Sequence, residues 1–388
     1  MKTPHSLTSA LGAHIAQVIA MRQGWIGFDE FMALALYTPG VGYYANDSAK
    51  FGTLPYAVQA GVNVAGSDFV TAPEMSPLFG QTLANQVAQA LALTQTAEVW
   101  EFGAGSGALA LQVLDALQTM GLPLPRYTIV ELSQSLQVRQ QEKLERFAPA
   151  VRWVSELPKT LQGVVIGNEV LDAMPVKLLA RLGGVWHERG VALATANDPA
   201  PDTAGAGVAP VFGWQDRPTE LRPPVAIDAA HDYLTEVHHQ GESFVRTLAD
   251  KLTLGAAFLI DYGFPEHEYY HPQRHMGTVM CHQGHRSDTD PLTDVGLKDI
   301  SAHVNFTGIA LAAQEAGLGV LGYCTQARFL MNCGLVARLE TATQAQRIQA
   351  QHLIMEHEMG ELFKVIGLYQ GEPWDAMGFS HGDRTHTL

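Results

Sequence analysis

Apolar residues change their period along this chain, and the changes mark out its elements. Leu7, Leu11, Ile15, Val18 and Ile19 fall at helical spacing and predict an N-terminal helix. A second helical stripe runs through Leu78, Leu83, Val87 and Leu91, with Ser76 placed as its N-cap and Pro77 at its first position. From Glu98 the rhythm becomes regular. AEVWEFG reads as a buried strand and SGALALQVLDALQTM as the helix after it. YTIVE (Tyr127 to Glu131) is a second strand, followed from Ser133 to Phe147 by a helix that Ser133 can cap. VRWV from Val151, GVVIGNE from Gly163 and AAFLIDYG from Ala256 add three strands. Strands alternating with helices predict an α/β fold with a doubly wound, mostly parallel sheet.

Two stretches depart from this rhythm. VKLLARL and VWHERGVAL alternate on either side of Gly183-Gly184 as a β-hairpin does. Beyond them, Thr195 to Pro224 crowds Ala, Pro, Gly and Asp without apolar periodicity and reads as a surface excursion. The segment from Phe264 to Ile300 is rich in His, Gly, Pro and Asp and too long for an ordinary connection, so it is expected to cover a site. The organisation expected is an N-terminal helical region with a site-covering loop over 1–95 and an α/β domain over 96–340. That domain carries insertions at about 176–239 and 262–306, and a C-terminal helix and tail follow over 341–388.

Composition narrows the classes. A chain of 388 residues that is 47% hydrophobic can bury a full core. Its net charge of −15 repels phosphate backbones and anionic membranes on average, which argues against non-specific nucleic-acid binding. No apolar run reaches the ~18–20 residues of a membrane-spanning helix. Cys281, Cys324 and Cys333 include no C-x-x-C pair and fit a reducing compartment. Arg22 is the first arginine, so the N-terminal stripe reads as a folded helix rather than a transit peptide. A cytoplasmic location is therefore expected ahead of the mitochondrial matrix.

The chemistry concentrates after the first buried strand. Glu101, Gly103, Gly105 and Gly107 lie in EFGAGSG, between a strand and a helix, where a Gly-rich turn lets a ligand approach N–H groups at a helix N-terminus. Two cofactor classes compete, because Gly103, Gly105 and Ala108 also satisfy the dinucleotide fingerprint G-x-G-x-x-[GA]. Glu101 suits the ammonium of S-adenosylmethionine, either by meeting it or by ordering the loop that does. Glu131, ending the second strand, can accept both ribose hydroxyls of either cofactor. Asn168, Glu169 and Asp172 follow the fourth strand, where polar groups can flank a methyl acceptor.

At these residues the chain resembles the MidA-like class I methyltransferases. The resembling blocks are FMALALYTPGVGYY (Phe31 to Tyr44), DFVTAPEMSPLFG (Asp68 to Gly80), EFGAGSG (Glu101 to Gly107) and GNEVLDAMPV (Gly167 to Val176). IDYGF (Ile260 to Phe264), DPLTDVGLKDISAHVNF (Asp290 to Phe306) and TQARFLMNCG (Thr325 to Gly334) complete them. The resemblance implies a class I methyltransferase sheet with an N-terminal helical region and insertions over the cofactor, which is S-adenosylmethionine. It also implies that the turn of Thr71, Pro73 and Glu74 closes over that cofactor. Mitochondrial members of the family are protein arginine methyltransferases assisting respiratory complex I assembly. The expected substrate is accordingly a protein arginine, with a complex I subunit as one such partner, and a homodimer is compatible with this reading. Asn168, Glu169 and Asp172 would serve the acceptor, the carboxylates orienting a cationic guanidinium and one acting as base. Glu101, Gly103, Gly105, Gly107, Glu131 and Asn168 would join the Thr71 turn around the cofactor. One departure is Asn305 in HVNF, where the family usually has Asp.

Rival readings remain at this level. A cofactor-binding assembly factor with little turnover shares these features, and an NAD-dependent oxidoreductase shares the glycine turn and Glu131. Cys281, His282 and His285, with His267, His271, His275 and His303 nearby, do not match a standard zinc spacing, and no metal is expected. His285 and Asp290 read instead as residues ordering the long loop.

Overall fold

Apolar strands flanked by amphipathic helices have one stable arrangement, a sheet with both faces covered. The computed structural model describes residues 4–45, 71–194, 210–228, 230–284 and 286–388. These fall into two units. The larger takes in the described parts of Lys50–Asp172, Glu242–Pro265 and Val304–Leu388, and the smaller those of Met1–Ala49, Ala173–Gly241 and Glu266–His303. The sequence-predicted insertions thus contribute most of the smaller unit, together with the N-terminal helices.

The larger unit is built on strands β1 (Glu98–Phe102), β2 (Arg126–Val130), β3 (Val151–Val154), β4 (Leu161–Asn168), β5 (Leu252–Phe264), β6 (Gly319–Thr325) and β7 (Phe363–Gln370). Their order across the sheet is β3-β2-β1-β4-β5-β7-β6, and Val304–Asn305 adds a short parallel pairing to β5. The first five strands run parallel, and β7 is antiparallel to both β5 and β6. The strand order reverses between β1 and β4, and ligands of open α/β sheets bind outside the carboxyl ends of strands at such a point. Helices α1 (Pro77–Thr94), α2 (Ala108–Thr119) and α3 (Gln134–Lys143) accompany this half. Val99, Val164, Ile166 and Phe258 are fully buried in one apolar cluster with Leu83, Val87, Val113 and Leu114. As expected, Ser76 caps α1 by accepting from Leu78 N, and Ser133 caps α3 by accepting from Leu136 N. The C-terminal segment differs from a helix and tail. Gln344–Ile354 is the helix, but Phe363–Gln370 returns into the sheet as β7, where partners on both sides bury its apolar run.

In the smaller unit, helices Pro4–Met21 and Phe28–Tyr37 accompany a five-stranded sheet. The predicted hairpin is there as Lys177–Leu182 and Val185–Leu193. Its turn puts both Gly183 (φ 53°) and Gly184 (φ 85°) in the left-handed region, as the favoured two-residue hairpin turn requires. The predicted surface excursion needs correcting. Residues 195–209 lie outside the described residues, but Phe212–Pro218 is a strand paired antiparallel to Val185–Leu193. Its Trp-Gln-Asp-Arg run disguised it, because this face is partly solvated and held by polar pairing. Arg189 donates twice to Asp216, at 2.8 Å each. The long segment after Phe264 contains the strands Met280–Gln283, Arg286–Asp288 and Asp299–Ser301. It is tied down by Glu236, fully buried, whose carboxylate accepts from Thr278 N, Val279 N and the Tyr269 hydroxyl. Among the described residues no helix is long and apolar enough to cross a membrane.

Candidate active site

The glycine turn leaves β1 and enters α2. Gly103, Gly105 and Gly107 have φ of 64°, 53° and 81°, a conformation that side chains with a Cβ rarely adopt. A Cβ at Gly103 would also sit 2.9 Å from Val170 Cγ2, across the turn that follows β4. Gly107 is the N-cap of α2, whose first N–H groups lack helical partners and face the turn.

Glu131, just past β2, is held beside this turn by Gln140, a residue that sequence reasoning overlooked. The Gln140 amide donates to Gly105 O at 2.9 Å and to Glu131 Oε2 at 3.1 Å, and its own oxygen accepts from Trp153 Nε1 at 2.8 Å. Gln140 is buried four residues after Leu136 on the inner face of α3. A polar residue at a core position of an amphipathic helix was the available signal. Glu131 also accepts from Ser133 N at 2.8 Å. Burial raises its carboxyl above the usual range, with the hydrogen bonds to Ser133 and Gln140 pulling it back. These hydrogen bonds fix the pair of oxygens beside the glycine turn, and a carboxylate has about four acceptor sites, so it keeps capacity to accept from a ligand hydroxyl.

The predicted Thr71, Pro73 and Glu74 turn is Thr71 followed by the helix Ala72–Met75. It meets the glycine turn directly. Ser106 Oγ donates to Glu74 Oε1 and accepts from Lys143 Nζ at 2.7 Å, while Gln112 Nε2 donates to Pro73 O at 2.7 Å. The structure therefore brings together Thr71, Pro73, Glu74, Gly103, Gly105, Gly107 and Glu131.

Glu101 is 2% exposed, and its carboxylate accepts from the Tyr127 hydroxyl at 2.7 Å. Burial pushes its carboxyl up to about 7, against the lowering effect of that hydrogen bond. The folded state therefore keeps a proton that the unfolded chain loses above its ordinary value of 4.5. Stability from this group is full below that value and is lost as pH rises through about 7, a loss of about 3 kcal/mol. Glu101→Gln removes the titration. Wild type is expected to lose more stability than Glu101→Gln between pH 5 and pH 8 in chemical denaturation, and parallel profiles would refute this.

The other end of the site lies after β4. Asn168 Nδ2 donates to Glu169 Oε1 at 3.0 Å, and Asn168 Oδ1, buried, has no hydrogen-bond partner among the described residues. Glu169 has φ 53°, unusual for a residue with a side chain and worth of order 1–3 kcal/mol of strain. Its N–H donates to Ile260 O at 2.9 Å. Asp172 Oδ2 accepts from the Tyr262 hydroxyl at 2.5 Å. Asp261, at the end of β5, was not singled out in the sequence, yet it is 1% exposed and faces this turn. Its carboxyl is raised well above the usual range by burial first, then by the charges of Asp172 and Glu169.

Asn305, the departure from the family pattern, caps the helix Phe306–Glu315 by accepting from Gly308 N at 3.2 Å. Asn and Asp cap about equally well, so the exchange costs little. Asp290 orders its loop by accepting from Leu292 N at 3.2 Å, while His285 lies outside the described residues. Among the described residues no group of three or more His, Cys, Asp and Glu could hold a metal ion.

A reversed strand order, a left-handed glycine turn and an acidic residue after β2 define a class I nucleoside-cofactor enzyme. Residues 82–324 match the family described as "Putative S-adenosyl-L-methionine-dependent methyltransferase". The fold aligns with the crystal structure of a Burkholderia thailandensis protein bound to S-adenosyl-homocysteine. The TM-score is 0.89 and the identity 45%, over 100% of this chain and 99% of that one. Among curated proteins, the mitochondrial "Protein arginine methyltransferase NDUFAF7 homolog" of Caenorhabditis elegans is 25% identical over 89% of this chain and 83% of its own. The Danio rerio "Protein arginine methyltransferase NDUFAF7, mitochondrial" is 25% identical over 94% and 87%. The chain belongs to the MidA-like family of S-adenosylmethionine-dependent methyltransferases. Its cofactor is S-adenosylmethionine, and the NAD reading falls. The residues present fit that cofactor: the glycine turn admits close backbone approach, and Asn168 Oδ1 offers an unsatisfied acceptor at the end of β4.

Proposed function

We propose that this enzyme methylates a guanidinium nitrogen of arginine in a protein partner, a respiratory complex I subunit being one such partner. The observation that carries the reading is the acidic end of the site: Glu169 and Asp172 follow β4, with Asp261 behind them at the end of β5. Three neighbouring carboxyls repel one another, and a cationic acceptor relieves that repulsion where a neutral one does not. The names of the NDUFAF7 relatives support the same acceptor.

S-adenosylmethionine, when bound, supplies a methyl group activated by its sulfonium. Gly103, Gly105 and Gly107 would admit it against their backbone, Glu131 would take the ribose hydroxyls, and Thr71, Pro73 and Glu74 would cover it. Asn168 would turn its unsatisfied oxygen to it, while Glu101, bonded to Tyr127, would tie the strand that leads into the turn to its neighbour. Glu169 and Asp172 would orient the guanidinium by charge-assisted hydrogen bonds, and one of them would take the proton that the attacking nitrogen sheds.

The test is incubation of the protein with methyl-labelled cofactor and a cell lysate, then mass spectrometry of the labelled band. Methylarginine is the expected product. Label on a carboxyl, hydroxyl or lysine overturns the acceptor, and absence of turnover in a cofactor-binding protein favours the assembly-factor reading.

A further inference from the structure

The acceptor carboxylates sit on a turn that does not hold itself. Residues 169–172 follow β4 with no strand or helix of their own, and Glu169 begins them in the left-handed region at φ 53°. What fixes them comes from β5, about ninety residues later. Asp261 Oδ2 accepts from three successive backbone N–H groups, Val170 at 3.1 Å, Leu171 at 2.9 Å and Asp172 at 3.2 Å. Its Oδ1 accepts from Tyr262 N at 2.9 Å, which sets the plane of the carboxylate. The next residue, Tyr262, reaches the same turn with its hydroxyl on Asp172 Oδ2, and its ring packs edge-on against Phe363 at 5.4 Å.

We propose that Asp261 is a positioning residue for methyl transfer, which through the three amides of Val170, Leu171 and Asp172 holds Glu169 and Asp172 in the geometry the acceptor needs. It deepens the acceptor assignment above and rests on it. Three backbone N–H groups converging on one point form a nest of amides, and here the oxygen that fills it is built into the chain. Burying a third carboxyl beside Glu169 and Asp172 is unfavourable, and an apolar residue at the end of β5 would avoid it. The arrangement is explained by what Asp261 orders, not by packing.

Asp261→Asn tests this, because an amide cannot serve both sides. With its oxygen on the three N–H groups, its NH2 opposes Tyr262 N, and the reverse orientation sets donor against three donors. Misplacement of reacting groups by about 1 Å can lower rates about a hundredfold. The expected result is a kcat lowered about ten- to a hundredfold on the acceptor identified by labelling, with KM for S-adenosylmethionine within about twofold. Amide exchange at residues 170–172 should accelerate in the same variant. Tyr262→Phe, which keeps the cradle and removes only the hydroxyl, should leave that exchange slow.

A folded Asp261→Asn enzyme with wild-type kcat, or with slow exchange at 170–172, overturns the proposal. So does loss of cofactor binding, which would place Asp261 on the cofactor side. Should the labelled product prove not to be methylarginine, the acceptor reading fails while exchange and kcat still decide the role of Asp261.

Discussion

In calorimetry, Gly105→Val is expected to show no binding of S-adenosylmethionine by a protein that still unfolds cooperatively. Gly105 has φ 53°, and a β-branched residue in the left-handed region is a steric outlier. The backbone there cannot relax freely, because Gln140 holds Gly105 O at 2.9 Å and the same amide holds Glu131. A shift of the turn therefore disturbs two groups assigned to the cofactor at once. The global fold should survive, since the substitution lies in a loop outside the apolar cluster of the sheet. Wild type gains ~2.7 kcal/mol of stability from a ligand at a hundred times its Kd. The variant should gain none at the same concentration of S-adenosyl-homocysteine. Wild-type affinity in a folded Gly105→Val protein would show that the turn does not hold the cofactor.

Glu169→Gln and Asp172→Asn carry the second large effect, about ten- to a hundredfold in kcat/KM. Each removes a charge while keeping size and an acceptor oxygen. Gln at 169 can still accept from Asn168 Nδ2, and Asn at 172 can still accept from the Tyr262 hydroxyl. Losing a charge-assisted pair to a guanidinium costs roughly 1.5–3 kcal/mol, which sets the range. Two carboxylates gripping one guanidinium act as a unit, so the double variant should lose less than the product of the single losses.

Stability separates this from a merely structural turn. Asp172 and Glu169 both raise the Asp261 carboxyl by their charge, so neutralising either relieves repulsion. Melting temperatures should hold or rise while methylation falls and cofactor affinity stays constant. A lowered melting temperature with full activity in the folded fraction would refute the acceptor assignment.

Much of the larger unit was legible in the sequence. Strands β1 to β4 are short runs and β5 holds a longer one, each with an apolar stretch and followed in the first half by amphipathic helices, a pattern that a covered parallel sheet accommodates. Ser76 and Ser133 announced their helices because capping is local chemistry. Gly183-Gly184 announced the hairpin for the same reason, and EFGAGSG the glycine turn. Strand Phe212–Pro218 was not legible, because only Phe212 and Trp214 supply its apolar face and the rest of it is held by pairing with Val185–Leu193, Asp216 meeting Arg189. Strand β7 was missed in a stretch read as a tail, since its place between β5 and β6 depends on two distant partners.

The sequence by itself determined the α/β class and the glycine turn, and it singled out Glu131, Glu169 and Asp172 as candidates. These are written in periodicity and in conformations only certain residues adopt, which act over a few positions. Only the tertiary structure decided what holds them. Gln140 joins Gly105 to Glu131 across 35 and 9 residues, Ser106 meets Glu74 across 32, and Asp261 cradles the Val170 to Asp172 amides across about 90. A buried polar group must find its partner wherever the fold brings one, and no spacing along the chain encodes that meeting.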